Sequence, residues 1–326
     1  MKKILFGLLT AMFALTAAAQ SAPANSNLST QIVIVTGFPV ASGPDRFVRP
    51  FADELSKTLN VPVIVVNRPG GNGIVGLDYY NGLPRDKHYV YWGEPAVMYN
   101  YPLMFGGKTD MVSNLEVLMP GTYANLAMIV NPNINNLADL KKAIQKSPFF
   151  GTYAPGAPGQ MYSYQVANAL KEPITTVLYK DYGQWHIDTS TGQLAFSFTT
   201  VASSLPLVNA GKTKMLAITG DRRDPQHPNV PTLDELFGYK TGITAPYTSS
   251  VFYIHKDAPQ VIKDSLRSAF QKNMTTARVK DTLEKVSYYH LAPDAKTAAD
   301  MERFNKKESD THYRFLKELK IDVKPF

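Results

Sequence analysis

The sequence contains no cysteine. This absence excludes disulfide scaffolds, iron–sulfur clusters, thiolate zinc sites and cysteine nucleophiles. Charged residues are also scarce, at 19% of the chain against about 25% in ordinary globular proteins. Since 44% of the residues are hydrophobic, the bulk of the chain can fold around apolar cores rather than stay disordered. A length of 326 residues predicts about two domains, at roughly 150 residues each.

No apolar run reaches the length of about 20 residues that a membrane-spanning helix needs. The chain begins instead with the pattern of a secretory signal peptide, in which two lysines precede an apolar segment over residues 4–15 and a small-residue cleavage site ending at Ala19. The sequence therefore predicts an exported protein with a signal peptide over residues 1–19 and a flexible leader over 20–30. Cleavage removes the two lysines and lowers the formal net charge from +7 to +5.

Short runs rich in β-branched residues alternate with segments of helical periodicity from residue 31 onward. The predicted strands cover residues 31–35, 61–66, 88–92, 149–153, 174–179, 194–198 and 214–218. The predicted helices cover residues 50–59, 136–144, 160–170, 203–210, 259–272 and 295–319. This alternation predicts an α/β fold with mostly parallel sheets flanked by helices. Ligands in such folds bind at the carboxyl ends of the strands, where helix N-termini gather.

Motifs of familiar enzymes are missing from the sequence, which has no G-x-S-x-G, H-E-x-x-H or S-x-x-K. The six histidines are scattered without a pair at metal-ligand spacing, so neither a metal site nor a cofactor is expected. Arg222 and Arg223 form an isolated pair beside Asp221 and Asp224, so no nucleic-acid partner is expected. The sequence thus favours a protein that is not an enzyme.

One glycine-rich segment matches the dinucleotide-binding fingerprint G-x-G-x-x-G. Gly71, Gly73 and Gly76 follow the strand predicted over residues 61–66, and Glu94 lies eighteen residues beyond the last glycine. Against a nucleotide site, the motif follows the second strand rather than the first, and too many residues separate it from that strand. Export also directs the protein to a compartment where nicotinamide cofactors are scarce. We interpret the segment as a turn that lets the backbone pass close to a helix.

Two long motifs are similar to those of one receptor family. Residues 38–49 read FPVASGPDRFVR, where the family has F-P-P-G-G-P-x-D-x-x-A-R. Residues 66–76 read VNRPGGNGIVG, where the family has E-N-R-P-G-A-G-G-x-x-G. Further agreement lies in residues 179–193, 210–219 and 230–235. On these residues the chain resembles the periplasmic solute receptors of tripartite tricarboxylate transport systems, often called Bug receptors.

The resemblance implies a two-lobed type II periplasmic-binding-protein fold that closes on its ligand like a Venus flytrap. Lobe 1 would comprise residues 31–125 and 244–326, and lobe 2 residues 126–243. The implied function is a periplasmic receptor that captures a small organic anion, above all a carboxylate, and delivers it to membrane transporter subunits. A monomer without a cofactor is expected. The alternatives are a ligand sensor for a signalling partner and a secreted α/β hydrolase.

The resemblance places the ligand between two loops and the ends of neighbouring strands. The expected ligand-binding residues are Phe38, Pro39, Val40, Ala41, Ser42 and Asp45 in the first loop, Ala157, Gly159 and Gln160 in the second, and Trp92, Glu94, Tyr179, Thr199 and Thr200 at strand ends. Backbone N–H groups at helix starts would hold a carboxylate there. Asp45 either contacts the ligand or caps helix N–H groups and fixes the loop. The aromatic side chains either stack on a ring of the ligand or pack the loops.

Several residues depart from the family's motifs in or beside these loops. Ala41 and Ser42 replace a pair of glycines, Gln160 replaces a serine, Ser163 replaces a histidine and Asp181 replaces a glycine. Because of their position, these departures bear on the ligand and not on the fold.

Overall fold

The computed structural model describes residue 28 and residues 30–40, 42–70, 73–95, 98, 113–153, 155–179, 182–241, 248–292 and 296–318. The predicted signal peptide and most of the predicted leader lie outside these residues, as do Ala41 and Asp181. Within the described ranges, no helix is long and apolar enough to cross a membrane.

Strands and helices alternate through most of the described chain, which confirms the α/β class. The strands are β1 (Ile32–Thr36), β2 (Val63–Asn67), β3 (Tyr89–Gly93), β4 (Leu115–Ala124), β5 (Leu126–Val130), β6 (Phe149–Thr152), β7 (Thr175–Leu178), β8 (Phe196–Thr200), β9 (Lys214–Ile218), β10 (Thr248–His255) and β11 (Tyr288–His290). The helices are α1 (Gly43–Leu59), α2 (Ile74–Asn81), α3 (Leu137–Lys146), α4 (Pro158–Leu170), α5 (Tyr182–Thr191), α6 (Val201–Asn209), α7 (Leu233–Phe237), α8 (Gln260–Met274), α9 (Ala277–Lys285) and α10 (Ala298–Glu318).

The strands form two sheets, with the orders β11-β4-β10-β3-β1-β2 and β7-β6-β8-β5-β9. Strand β1 pairs in parallel with β2 and β3, and β6 pairs in parallel with β7 and β8. The other pairings, which involve β4, β5, β9, β10 and β11, are antiparallel. Both sheets are therefore mixed. The expectation of mostly parallel sheets was too strong, because strands near the crossings between the sheets run against the strand–helix–strand units.

The chain crosses between the sheets more than once. Asn125 alone separates β4 of the first sheet from β5 of the second, and β10 returns to the first sheet after β9. We call the elements around the first sheet the first lobe and those around the second sheet the second lobe. The C-terminal helix α10 contacts both, since Met301 is buried in a core cluster of the first lobe and Leu316 in one of the second.

Aromatic side chains fill the main core of the first lobe. Phe51, Trp92, Phe252 and Phe270 are fully buried there. The ring centroids of Trp92 and Phe252 are 4.2 Å apart, and those of Phe51 and Phe252 are 5.0 Å apart. Such close packing fixes α1 and α8 against the sheet and so determines where the strand ends lie.

Helix α1 begins earlier than its sequence pattern predicted. It starts at Gly43 with Pro44 in its first turn, and Pro50 lies inside it. Proline is tolerated best in the first turn of a helix, where its missing N–H costs nothing. Pro50 therefore resembled a helix start, and the predicted start was wrong. The helix extends upstream because Phe47 and Val48 are buried in the core and stabilise the preceding turn.

The glycine-rich segment packs α2 against the loop that follows β1. A Cβ atom at Gly76 would lie 2.9 Å from the backbone nitrogen of Gly37, and a Cβ atom at Gly37 would overlap the Cα atom of Gly73. Gly73 itself has a φ of 89°, a conformation that favours glycine. These contacts explain the glycines as a close-packed turn and agree with the interpretation that the motif is not a nucleotide fingerprint.

Candidate ligand-binding site

A cavity of about 460 Å³ lies between the two lobes, and we call it the cleft cavity. The first lobe lines it with Gly37, Phe38, Pro39, Pro69, Gly70, Gly73, Ile74, Leu77, Tyr91, Trp92, Gly93, Glu94 and Met98, and the second lobe lines it with Tyr153, Leu178, Tyr179 and Tyr182. Many of these residues end or follow β1, β2, β3, β6 and β7, at the carboxyl ends of parallel strands. The volume falls within the range of roughly 300–1,000 Å³ that is typical of small-molecule sites.

A smaller space of about 20 Å³ adjoins the cleft cavity, and we call it the inner pocket. Phe38, Glu94, Tyr153 and Tyr182 line both spaces. The remaining wall of the inner pocket comes from helix starts and strand ends, namely Gly43, Pro44, Leu126, Gly159, Trp185, Phe198, Thr199, Thr200, Ser203 and Thr248. A space of this size holds about one water molecule.

Helices α1, α4 and α6 begin at the inner pocket. Helix α1 starts at Gly43, α4 at Pro158 and α6 at Val201. The first backbone N–H groups of a helix lack acceptors within the helix and carry the positive end of its dipole. The Thr200 hydroxyl caps α6 by accepting a hydrogen bond from the N–H of Ser203 at 3.3 Å. Together the three helix starts produce an environment that favours an anion.

Glycines allow these helix starts to approach the facing walls. A Cβ atom at Gly43 would lie 2.8 Å from the Oγ1 atom of Thr200, which belongs to the second lobe. A Cβ atom at Gly159 would lie 3.0 Å from the carbonyl oxygen of Phe198. The backbone of both helix starts therefore packs directly against the facing walls, at a distance that a side chain would prevent.

Glu94 joins the lobes at the boundary between the two spaces. The Tyr153 hydroxyl of the second lobe donates to Oε2 of Glu94, and the Thr248 hydroxyl of the first lobe donates to Oε1 at 3.3 Å. The Glu94 side chain is buried, and this burial raises its pKa to about 7 although both hydrogen bonds lower it. Near neutral pH the carboxyl group is therefore partly protonated, and in that form it can donate a hydrogen bond to an anion.

Two tyrosines of the cleft cavity have their hydroxyl groups bound to the protein. Tyr91 donates to the carbonyl oxygen of Gly73 at 3.1 Å. Tyr179 donates to Oδ2 of Asp188 at 2.5 Å. Because these hydroxyls are already paired, the two residues contribute mainly ring surface to the cavity.

The family follows from comparison with known proteins. The profile of the tripartite tricarboxylate transporter family receptor, TctC, matches residues 47–321 of this chain. The chain belongs to this receptor family. The family consists of binding receptors and not of enzymes, which confirms the expectation that the protein is not an enzyme.

Individual relatives agree with this assignment. The receptor is 27% identical over 289 residues to the "UPF0065 protein in gbd 5'region" of Cupriavidus necator, and the match covers 86% of each chain. The solved periplasmic binding protein BugD has a TM-score of 0.79 at 18% identity, over 90% of this chain and 98% of that chain. Rpa4515 of R. palustris, solved with adipate, has a TM-score of 0.79 at 20% identity, over 92% and 99%. The two structures confirm the two-lobed periplasmic-binding-protein fold.

The expected site residues of the receptor fall into distinct groups. Those that line the cleft cavity are Phe38, Pro39, Trp92, Glu94 and Tyr179. Those that line the inner pocket are Phe38, Glu94, Gly159, Thr199 and Thr200. Those outside both linings are Val40, Ser42, Asp45, Ala157 and Gln160, of which Val40 is 65% exposed and the others are buried. Ala41 lies outside the described residues.

Asp45 of the receptor fixes the first loop. Its Oδ2 atom accepts a hydrogen bond from Nε of Arg49 at 2.9 Å, and its Oδ1 atom accepts one from Nδ2 of Asn67 at 2.8 Å. Asn67 also donates to the carbonyl oxygen of Phe38 at 2.9 Å. Of the two roles considered for Asp45, this network favours bracing of the loop over contact with the ligand.

Gln160 and Ser163, which depart from the family's motif, form hydrogen bonds within the second lobe. The Gln160 Oε1 atom accepts from the N–H of Gly156 at 2.7 Å, and its Nε2 atom donates to the Thr176 hydroxyl at 3.2 Å. The Ser163 hydroxyl donates to the carbonyl oxygen of Gly159 at 2.8 Å. These two side chains therefore stabilise the conformation of the receptor's second loop.

Several residues that line the receptor's two spaces were not expected from the sequence, namely Tyr91, Met98, Tyr153, Leu178, Tyr182 and Thr248. Tyr153 ends a predicted strand and begins the second loop, and this position was the signal that could have found it. Tyr182 lies in α5 and Thr248 in β10, which are elements that the sequence pattern did not predict.

Proposed function

We propose that the protein is a periplasmic receptor that binds a small carboxylate between its lobes and delivers it to membrane transporter subunits. The observation that carries this proposal is the convergence of α1, α4 and α6 on the inner pocket, because the positive dipole ends of these helices favour a carboxylate. The adipate found in Rpa4515, which shares the fold, supports the same class of ligand.

The carboxylate would lie at the boundary between the cleft cavity and the inner pocket. The inner pocket has room for about one water molecule, and such a water can bridge the carboxylate to the helix starts. Glu94 and Tyr153 face the same boundary from opposite lobes. Closure of the lobes would therefore enclose the ligand, as in other hinged binding proteins.

Residues 1–19 would direct export and be removed after Ala19. The mature receptor would act as a monomer whose lobes comprise residues 31–125 with 244–326 and residues 126–243. The closed, loaded form would be the one that the transporter subunits recognise.

The substitution Ser203→Asp tests the carboxylate site. Ser203 lies in the first turn of α6 and lines the inner pocket. An acidic residue in the first turn suits the helix dipole, so the fold should persist. The added negative charge should nevertheless weaken carboxylate binding by about ten-fold or more, which corresponds to ~1.4 kcal/mol. Titration calorimetry and ligand-induced thermal stabilisation, over a panel of di-, tri- and aromatic acids, measure the effect.

Ser203→Asn is the matched control, because it has nearly the same shape as the aspartate variant without the charge. It should bind the panel much more tightly than Ser203→Asp does. Two results would contradict the proposal: a panel in which no acid stabilises the parent protein, or equal binding of acids by the aspartate and asparagine variants.

A further inference from the structure

We propose that the ligand is an aromatic monocarboxylate, whose ring occupies the cleft cavity while its single carboxylate faces the inner pocket. This inference rests on the carboxylate-receptor function proposed above and narrows the class of ligand for that site.

Aromatic rings form much of the wall where the body of the ligand would lie. Phe38 and Tyr91 line the cleft cavity from the first lobe, and Tyr153, Tyr179 and Tyr182 line it from the second. The rings of Tyr153 and Tyr182 are nearly parallel, with centroids 6.1 Å apart. Aromatic pairs gain stability beyond that of the area they bury, so these walls favour a ring over an alkyl chain of similar size.

Backbone and aliphatic groups complete an apolar compartment. Gly37, Gly70 and Gly73 line the cavity without side chains, so a flat group can approach the backbone there. Leu77 is buried in the lining, and Leu178 lines the cavity although it is 57% exposed. Leu178 therefore lies where the cavity meets solvent, and the compartment behind it suits a planar apolar body.

The polar groups of the cavity oppose a second carboxylate. The hydroxyls of Tyr91, Tyr153 and Tyr179 already donate to Gly73, Glu94 and Asp188, respectively. None of the described residues that line the cleft cavity is a cation. A second carboxylate in the cavity would therefore lose part of its water without a described partner of opposite charge, which is costly. The ligand should therefore be a carboxylate other than a dicarboxylate such as the adipate bound in Rpa4515.

An aromatic wall beside a carboxyl group also suits an organic cation. The positive ends of α1, α4 and α6 at the inner pocket disfavour a cation and favour an anion. We therefore assign the charge of the ligand to the inner pocket and the ring to the cleft cavity.

Titration calorimetry with four probes at pH 7.5 tests the ligand class. The exported protein is first unfolded in guanidinium chloride and refolded, to remove any ligand that accompanies purification. The probes are 3-phenylpropionate, hexanoate, adipate and 3-phenylpropylamine, which differ from one another in ring, chain or charge. We expect 3-phenylpropionate to bind at least ten-fold more tightly than each of the other three.

The outcomes separate this inference from the function on which it rests. Tighter or equal binding of hexanoate or adipate would overturn the aromatic monocarboxylate, while the carboxylate receptor would stand. Tightest binding of 3-phenylpropylamine, or binding of none of the three acids, would overturn both.

A second test introduces a cation at the edge of the cavity. Leu178→Lys should be tolerated because the side chain is 57% exposed, and its ammonium group would provide the partner that a second carboxylate needs. The affinity ratio of adipate to 3-phenylpropionate should rise by at least ten-fold. Val261→Lys is the matched control, since Val261 is 53% exposed on α8 and lies outside the cavity lining. A ratio that stays constant in Leu178→Lys, or that rises equally in both variants, would overturn the proposed placement of the ligand.

Discussion

At the boundary between the cleft cavity and the inner pocket, Glu94 accepts hydrogen bonds from Tyr153 and Thr248. Burial raises its pKa to about 7. The phenols of Tyr153, Tyr182 and Tyr288 interact with this carboxyl group, and burial together with its charge raises their pKa values well above the ordinary value for tyrosine. Of these groups, Glu94 is therefore the one that titrates between pH 6 and pH 8.

The titration of Glu94 predicts a pH dependence of ligand binding. Neutral Glu94 can donate to a bound carboxylate, whereas ionised Glu94 repels it, so the affinity should rise as the pH falls through about 7. If only the neutral form permits binding, lowering the pH from 8 to 6 should tighten binding by about ten-fold. Titration calorimetry with a carboxylate at several pH values measures this change.

Glu94→Gln is the control for this pH dependence. A glutamine can accept from Tyr153, has nearly the same shape and does not titrate. Its affinity should be nearly constant between pH 6 and pH 8. A pH dependence that persists in Glu94→Gln, or that has the opposite sign in the parent protein, would contradict the assigned role of Glu94.

The raised pKa of Glu94 also affects the stability of the unliganded protein. The folded-state pKa of Glu94, about 7, lies above its ordinary value of 4.5, so the folded protein keeps a proton that the unfolded chain has released. The contribution of Glu94 to stability is therefore complete below about pH 4.5 and decreases as the pH rises toward 7.

The direction in which an individual side chain points could not be predicted from the sequence. Glu94 and Tyr179 were expected at the site because they follow predicted strands, and both line the cleft cavity. Asp45 and Gln160 were also expected at the site because they belong to its loops. Their side chains instead form hydrogen bonds that stabilise those loops. Which way a side chain turns depends on partners far along the chain, such as Asn67 for Asp45.

At the scale of secondary structure, short apolar runs identified β1, β2, β3, β6, β7, β8 and β9 close to their observed positions. Strand β4 was missed because it contains Pro120 and Gly121, residues that usually argue against a strand. In the structure Pro120 pairs with Val251 beside a register shift, where the ladder is already irregular. Long-range pairing of this kind leaves no local signal in the sequence.

The close packing of α2 predicts that Gly76→Ala destabilises the protein, whereas the helix propensity of alanine alone predicts stabilisation. In an exposed helix, replacing glycine by alanine stabilises by about 0.5–1 kcal/mol. In Gly76→Ala the new Cβ atom would lie 2.9 Å from the nitrogen of Gly37 and 3.0 Å from the carbonyl oxygen of Arg68. Overpacking of this kind costs about 1–3 kcal/mol, so the free energy of unfolding should decrease. Urea unfolding measures the change.

Gly82→Ala is the control for this helix. Gly82 caps the C-terminus of α2 with φ at −82°, and its nearest neighbour would be a carbonyl oxygen 3.4 Å from the new Cβ atom. The change in the free energy of unfolding should therefore stay within about 0.5 kcal/mol. A Gly76→Ala variant that is more stable than the parent would show that the close contact with Gly37 is not a constraint.

At the scale of the whole molecule, the lobes are not consecutive pieces of chain. The chain crosses from the first lobe to the second at Asn125 and returns to the first lobe at β10. Helix α10 contacts the cores of both lobes. Without cysteine, this fold depends on its apolar cores rather than on disulfides. The net charge of the mature chain, expected to be +5, favours encounters with anions in general but does not select one.

Recognition of a whole set of motifs in the correct order is what made the architecture predictable. The alternation of strands and helices predicted the α/β class, and the resemblance to one family supplied the two lobes. The aromatic cavity could not be predicted, because Tyr91, Tyr153 and Tyr182 come from separate elements and meet only after the lobes are packed together.

Native mass spectrometry tests the central claim, a carboxylate held at the three helix starts, most directly. The refolded protein is incubated in a carboxylate-free volatile buffer with equal amounts of 3-phenylpropionate, hexanoate, adipate, malate and citrate. We predict one bound acid per chain for the parent protein and for Ser203→Asn, and little or none for Ser203→Asp. A parent protein that binds no acid, or a Ser203→Asp variant that binds as much as Ser203→Asn, would contradict the claim.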